Sequence, residues 1–250
     1  MAYTIAVAGK GGTGKTTVAS LVVDYLLRND RTPVLAIDAD PNTNLNEWLG
    51  VERQTTIGAL QAEVQDREDL PAGMDKRRYL QYQLQMCLVE QTGFDLLAMG
   101  RTEGPGCYCT VNDILRAFMD ELVPNYDYVL MDNEAGMEHL SRRVTRDVDL
   151  LLIVSDENPI GIRSAGRINQ MQQDLEVNVD NAYLVLNRVR NDLSELAQQE
   201  IEKTGLEVLE TLPHDEEIVR HSLEGKTLFE LPEDSPAKMG LGRALDRVLP

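Results

Sequence analysis

Cysteine and long apolar runs are both scarce in this sequence. Its 250 residues include three cysteines, Cys87, Cys107 and Cys109, which are too few for a disulfide framework. In a reducing compartment such cysteines are free thiols or metal ligands. No run approaches the ~18 apolar residues of a membrane-spanning helix, and the first predicted strand begins at once, which leaves no room for a signal peptide. We therefore expect a cytoplasmic protein with no membrane partner.

Positive charge is also in short supply. The chain has 24 Lys and Arg residues against 42 Asp and Glu residues, a formal net charge of −18. Non-specific binding to nucleic acid depends on many contacts between basic side chains and phosphates, so a surface this acidic repels a nucleic-acid backbone. We expect no nucleic-acid partner. The length suits one large α/β domain, and no linker or internal repeat divides residues 1–250.

Glycine is concentrated near the start of the chain, in a loop that predicts a phosphate-binding site. The segment Ala8–Thr17 follows an apolar strand pattern and opens a helical one. Within it, Gly9, Gly14, Lys15 and Thr16 satisfy the pattern G-x-x-x-x-G-K-[ST]. Glycines permit positive φ and bring backbone N–H groups against phosphates, while the lysine contacts the β- and γ-phosphates and the threonine hydroxyl binds Mg²⁺. The predicted nucleotide-binding residues of the loop are Gly9, Gly11, Gly12, Thr13, Gly14, Lys15, Thr16 and Thr17.

The same glycines also fit the dinucleotide fingerprint G-x-G-x-x-G, at Gly9, Gly11 and Gly14. Asp38 ends the next predicted strand, about where that fingerprint places a ribose-binding acid. A dinucleotide, however, uses neither a lysine clamp nor a magnesium-binding hydroxyl. A further apolar strand ends in Asp132, which is the Walker B arrangement for holding Mg²⁺ through water. These features favour a nucleoside triphosphate.

Strand-length apolar runs are separated by helix-length patterns along the chain. The predicted strands are residues 4–8, 33–37, 94–99, 128–131, 150–154, 183–186 and 208–212. The predicted helices include residues 16–28, 55–64, 75–90, 159–171 and 194–203, with a last helix from 236. Cys87 has the spacing of a small core residue in the third of them. The alternation predicts a single-domain α/β P-loop NTPase with a mostly parallel, twisted sheet and helices on both faces.

Cys107 and Cys109 form a C-x-C pair before a helix that Thr110 is predicted to cap. In an extended chain the two Cα atoms lie on one side, about 6.6 Å apart, so both sulfurs can converge on one metal ion. The nearby helix N-terminus favours the ligating thiolate. Thiolate zinc and square-planar nickel sites need about four ligands, which two symmetric pairs would supply at a dimer axis. The alternative is two buried or incidental thiols.

Lys10 is not required by the general phosphate loop, and its simplest interpretation is a solvated loop charge. With it, however, residues 10–16 resemble the deviant Walker A ATPases: the nitrogenase iron protein, the partition and septum-site ATPases and related metal-insertion proteins. This resemblance implies a homodimer in which Lys10 reaches the partner's nucleotide. It also implies that Asp40 positions the attacking water, with Asp38 and Asp132 at the magnesium shell. A turn or helix-capping role is the alternative for Asp38 and Asp40.

Two further segments, 106–109 and 132–142, narrow the resemblance to the CooC-type nickel-insertion accessory ATPases of carbon monoxide dehydrogenase. The implied function is a Mg²⁺-dependent ATPase that binds Ni²⁺ between subunits at Cys107 and Cys109 and assists nickel insertion into that enzyme; Zn²⁺ is the competing metal. Asn187 is implied to read the adenine edge, with a turn as its alternative, and Pro213 to lie where the family closes over the base. Residues 132–139 are implied to form switch II. The predicted catalytic residues are Lys10, Lys15 and Asp40, and the predicted metal ligands are Cys107, Cys109 and Thr16.

Two other functions compete with this one. A partition- or septum-type spatial ATPase would act on DNA or membrane and be indifferent to the cysteines. A metal store would bind nucleotide without significant turnover. Whether nucleotide or metal drives dimerisation stays open.

Overall fold

The structure, a computed structural model, describes residues 2–52, 55–66, 75–101, 109–134, 147–174 and 178–250. Its strands are β1 (Tyr3–Gly9), β2 (Val34–Asp38), β3 (Leu88–Glu90), β4 (Phe94–Ala98), β5 (Tyr128–Asp132), β6 (Asp147–Ser155), β7 (Asn178–Val189) and β8 (Glu207–Pro213). They form one sheet in the order β3-β4-β2-β5-β1-β6-β7-β8. Neighbouring strands are parallel except β3, which is antiparallel to β4. The phosphate-loop strand β1 therefore lies inside the sheet, between β5 and β6.

Helices cover both faces of this sheet. They are α1 (Lys15–Arg28), α2 (Leu45–Trp48), α3 (Ile57–Asp66), α4 (Lys76–Met86), α5 (Cys109–Leu122), α6 (Pro159–Asp174), α7 (Glu195–Thr204), α8 (Glu216–Glu224) and α9 (Pro236–Val248), with 3₁₀ turns at Val123–Asn125 and Leu228–Glu230. None of the helices in the described residues combines the length and apolar character needed to cross a membrane.

The alternation of side chains along the strands creates two buried layers. Ala6 and Ala8 of β1 pack in the layer shared with α3 to α7, whereas Ile5 and Val7 pack in the layer shared with α1, α2 and α9. Strands that are buried on both faces carry continuous apolar runs, as β1, β2 and β6 do. The predicted mostly parallel α/β fold with helices on both faces is confirmed.

The predicted helix over residues 75–90 is wrong at its end. It stops at Met86, and Leu88–Glu90 instead form β3 against the edge of β4. Pairing there supplies backbone hydrogen bonds to an otherwise open parallel edge, a gain that helical periodicity does not reveal. Cys87 is buried in the first layer, as predicted.

Two smaller differences concern the ends of elements. Helix α5 already includes Cys109 and Thr110, whereas the sequence predicted that the helix follows Thr110. Strand β7 extends well beyond the predicted 183–186 on both sides, which places Asn187 inside the strand.

Candidate nucleotide-binding site

The loop between β1 and α1 has the backbone that its glycines predict. Gly9 has φ of 152°, and a Cβ there would lie 2.2 Å from Val154 O of the neighbouring strand. Gly12 and Gly14 have φ of 85° and 89°, a region that residues with a side chain rarely adopt. Gly11 has neither constraint, since its backbone is ordinary and the space around it is open. Three of the four predicted glycines are therefore required by geometry.

The start of α1 brings the remaining loop residues together. Lys15 is the first helical residue and is buried, with 7% of its surface exposed, and Thr17 is also buried. Across the turn, the Thr13 hydroxyl donates to Lys10 O at 2.9 Å. The Lys10 side chain itself is exposed, and within the described part of the chain no hydrogen bond or ion pair engages its ammonium. Lys10 is thus accessible to a second molecule, while Lys15 faces the protein.

Two carboxylates meet beside this loop because β2 and β5 are paired in parallel. Asp38 stands opposite Asp132 in the register, and both side chains are buried. Burial raises the pKa of Asp132 to about 7, with the charge on Asp38 acting in the same direction, whereas the Thr16 hydroxyl and Lys15 lower it. Burial likewise raises the pKa of Asp38 to about 6, against hydrogen bonds from two backbone N–H groups.

The Asp132 carboxylate fits a magnesium shell. Both of its oxygens are buried, and among the described residues neither has a hydrogen-bond partner. The Thr16 hydroxyl is near enough to favour the charged form without completing such a bond. Buried acceptors without partners are costly, and Mg²⁺ prefers hard oxygen ligands such as carboxylate, hydroxyl and water. The residues present therefore suit this ion.

Asp38 and Asp40 are tied into the loop that follows β2. Asp38 accepts hydrogen bonds from the N–H groups of Asp40 (3.1 Å) and Leu45 (3.0 Å), which closes the loop over its own carboxylate. Asp40 Oδ1 accepts from the backbone N–H and the side-chain amide of Asn42, at 2.8 and 3.0 Å. The turn role that the sequence left open for these acids is therefore present. The second oxygen of Asp40 is not used in this turn.

The predicted base-binding residues line one cavity with the phosphate loop. This cavity has a volume of about 800 Å³, and Asn187, Pro213, Gly12 and Thr17 are on its walls. Asn187 is buried, and its amide Nδ2 donates to Thr13 O at 2.9 Å while its Oδ1 accepts from Arg188 N at 3.0 Å. An amide can donate twice and accept twice, so half of its capacity is left for a ligand.

Arg188 and Trp48 belong to this cavity and were not predicted from the sequence. Arg188 Nη1 donates to Gly12 O at 3.1 Å, and Trp48 closes α2 after the Asp38–Asp40 loop. In the sequence, Arg188 follows Asn187 directly after an apolar strand, and this charged residue beside an amide could have indicated that Arg188 belongs to the site. No sequence pattern indicates Trp48, because its place on the cavity wall depends on how α2 packs in the folded chain.

The structure describes little of the predicted metal-binding pair, Cys107 and Cys109. Cys107 lies outside the described residues, and Cys109 is described only as the first residue of α5. The chain enters this segment after β4, whose carboxyl end is beside that of β2 (Ala98 opposite Asp38). In the described ranges no group of three or more His, Cys, Asp or Glu side chains is arranged to hold a metal ion. Most of the predicted switch II, from residue 135 on, also lies outside the described residues.

Known proteins match almost the whole chain. Residues 4–228 match the CobQ/CobB/MinD/ParA nucleotide binding domain family. An uncharacterized ATP-binding protein of Methanocaldococcus jannaschii is 42% identical over 92% of each chain. The carbon monoxide dehydrogenase accessory protein CooC of Rhodospirillum rubrum is 32% identical over 69% of this chain and 70% of CooC. Among solved structures, the septum site-determining protein MinD of Pyrococcus horikoshii with Mg-ADP has a TM-score of 0.69 at 18% identity, covering 100% of this chain and 96% of MinD; this likeness concerns the fold.

Proposed function

We propose that this chain, which belongs to the CobQ/CobB/MinD/ParA nucleotide-binding family, is a Mg²⁺-dependent ATPase that converts ATP and water to ADP and phosphate in one P-loop domain. The observation that carries the proposal is the meeting of Lys15, Thr16 and the unpaired Asp132 carboxylate beside a loop with three glycines at positive φ. Such a site holds phosphate and a hard cation together. The large cavity that begins at Gly12 and extends to Asn187 and Pro213 has room for the base and the ribose.

Each part of the site has a separate role in this reaction. The amides of the phosphate loop and the Lys15 ammonium would bind the β- and γ-phosphates, and Thr16, Asp132 and Asp38 would hold Mg²⁺ and its water ligands. Bound there, the ion would neutralise charge that develops on the phosphoryl oxygens. Asp40 orients the attacking water with the carboxylate oxygen that its turn does not use.

Substitution of Asp40 tests the reaction apart from nucleotide binding. Asp40→Asn keeps an oxygen for the turn with Asn42 but loses the charge, so we expect kcat to fall on the order of 10²- to 10⁴-fold with ATP affinity nearly unchanged. The measurement is phosphate release with and without Mg²⁺, together with calorimetric titration of ATP.

Asn42→Ala is the matched control, because it removes the turn's side-chain hydrogen bond and leaves the Asp40 carboxylate in place. It should retain most of the turnover. Undiminished hydrolysis by Asp40→Asn would refute the role of Asp40, and a wild-type protein without Mg²⁺-dependent hydrolysis would refute the ATPase.

We further propose that the ATPase is a homodimer that binds Ni²⁺ as cargo at Cys107 and Cys109 and assists its insertion into carbon monoxide dehydrogenase. The similarity to CooC supports this client. The described residues add one point: β4, after which the segment with Cys107 follows in the sequence, ends beside β2, with Ala98 opposite Asp38. Lys10, exposed in the phosphate loop, would reach the partner's nucleotide. The nucleotide sites and the shared metal site would then both lie at the dimer interface, so that hydrolysis could affect metal binding.

Nickel titration of the reduced, metal-free protein tests this part. We expect one Ni²⁺ per dimer, with thiolate-to-nickel absorption and a doubling of molecular mass, and loss of both in Cys107→Ser/Cys109→Ser. The titration is repeated with ATP, with ADP and with Zn²⁺. Lys10→Ala should weaken dimerisation that nucleotide drives and leave dimerisation that metal drives unchanged, so this variant separates the two.

Cys87→Ala is the control, since Cys87 is a core residue and its loss should leave the nickel stoichiometry unchanged. Nickel binding that persists without Cys107 and Cys109 would refute the shared site. The protein would then be an ATPase with another client, such as the spatial ATPases of the family.

A further inference from the structure

Strand β7 carries a bulge at the point where it passes the phosphate loop. Leu186 pairs with Thr211 and Val189 with Pro213, so two residues of β7, Asn187 and Arg188, face a single residue of β8. Arg188 has φ of 61°, a left-handed conformation that is unfavourable for a residue with a long side chain. Bulges next to binding sites re-aim side chains. The side chains of Asn187 and Arg188 are the ones that this bulge re-aims.

Both side chains bond to consecutive carbonyls of the phosphate loop. Arg188 Nη1 donates to Gly12 O at 3.1 Å, and Asn187 Nδ2 donates to Thr13 O at 2.9 Å. They also occupy the space beside Gly14, where a Cβ would lie 2.4 Å from Asn187 Nδ2 and 3.3 Å from Arg188 Nε. The bulge thus covers the outer side of the loop from residue 12 to residue 14.

Holding a carbonyl fixes the amide of the same peptide unit. In a trans peptide the C=O and N–H point in opposite directions, so the bond to Thr13 O also sets the direction of the Gly14 N–H. The bond from Arg188 to Gly12 O likewise sets the preceding peptide unit, whose Thr13 N–H donates back to Lys10 O at 3.4 Å. Arg188 therefore acts on the turn that carries Lys10 and on the peptide that precedes the Asn187 contact.

We propose that Arg188 is a positioning residue of the nucleotide site, which holds the phosphate loop in its binding shape through Gly12 O before a nucleotide arrives. The inference rests on the proposed nucleotide-binding function. It follows that Arg188 should raise the affinity for ligands that carry phosphates and leave the affinity for the nucleoside alone unchanged. The reason is that the loop contacts phosphate, whereas the base lies farther along the cavity.

Arg188→Ala tests this by comparing ADP and ATP with adenosine, each measured by competition against a fluorescent ADP analogue. A hydrogen bond from a charged donor in an exposed position predicts roughly threefold to tenfold weaker binding of ADP and ATP, with adenosine unchanged. The KM for ATP should rise by a similar factor while kcat stays nearly the same, as for uniform binding. Arg188→Lys, which can still donate to Gly12 O, should recover part of the affinity.

Arg190→Ala is the matched control. It removes the same charge just after β7 and lines the same cavity, but its guanidinium contacts His214 rather than the phosphate loop, so any loss of affinity should be small and equal for ADP and adenosine. The melting temperatures of the ligand-free variants show that each is folded.

Wild-type affinity for ADP in Arg188→Ala would overturn the inference, and so would equal losses for ADP and adenosine. A wild-type protein that binds no nucleotide would instead refute the proposed function, and the same titration distinguishes that result.

Discussion

At the scale of single residues, the most unusual group is the Asp132 carboxyl. It is 1% exposed, lies beside Asp38 and has no hydrogen-bond partner in the part of the chain that the structure describes. Its pKa of about 7 is well above the value of about 3.9 for an aspartate in an unfolded chain. At a pH between these two values, the folded protein therefore keeps a proton on Asp132 that the unfolded chain has released.

This difference predicts how stability depends on pH. Between about pH 4 and pH 7 the folded state binds more protons than the unfolded state, so the contribution of Asp132 to stability falls as pH rises and is lost above its folded pKa. Asp132→Asn cannot ionise, so we expect the ligand-free variant to melt several degrees above the wild type at pH 8. The gap should narrow toward pH 5, as measured by thermal unfolding across that range.

The exposed acid Asp113 of α5 provides the control, because Asp113→Asn should follow the wild-type curve at every pH. If the melting temperatures of Asp132→Asn and the wild type changed with pH in the same way, burial would not raise the pKa of Asp132. The same variant should lose Mg²⁺-dependent nucleotide binding, so that stability and function change in opposite directions.

At the scale of elements, Asp215 joins two helices at their starts. Its Oδ1 accepts from Glu217 N of α8 at 2.9 Å, and its Oδ2 accepts from the Ser235 hydroxyl at 2.6 Å and Ala237 N at 3.3 Å, before and within α9. Ser235 in turn caps α9 through Lys238 N. One buried carboxylate thus satisfies donors of both helix N-termini.

Asp215→Ala should therefore lower the free energy of unfolding by about 2–3 kcal/mol, since it removes a cap and leaves buried donors unpaired. Urea unfolding measures this as a shift of the midpoint with an unchanged slope. Asp234→Ala removes an exposed acid from the neighbouring loop and should shift the midpoint little. Equal midpoints for the two variants would refute the shared cap.

Local elements were predictable from the sequence, whereas elements that depend on distant partners were not. The strand, loop and helix from Tyr3 to Arg28 follow from apolar periodicity and glycines that interact within a few residues. β3 exists because the edge of β4 is available, which no local pattern records. Likewise, the bond from Asn187 to Thr13 joins residues 174 positions apart. Motifs and the family resemblance predicted the candidate site residues, but they did not predict which backbone and side-chain groups those residues bond to.

At the scale of the whole molecule, the candidate site draws on strands from across the sheet. The residues proposed to bind phosphate and magnesium lie at the ends of β1, β2 and β5 and in the loops after β1 and β2. Those proposed to bind the base belong to β7 and β8, so candidate residues from Gly9 to Pro213 lie at one edge of the sheet. Such edges are where open α/β sheets bind ligands. The formal net charge of the whole chain, −18, disfavours binding to a nucleic-acid backbone.

Trp48 gives the protein an optical reporter of its own. It is the single tryptophan of the chain, it is partly buried against the second core layer, and it lines the cavity at the end of the helix that follows Asp38 and Asp40. Indole emission moves toward the blue when water leaves its surroundings. We therefore expect ligand binding in the cavity to change the intrinsic fluorescence, so that its kinetics can be followed in the unlabelled wild-type protein.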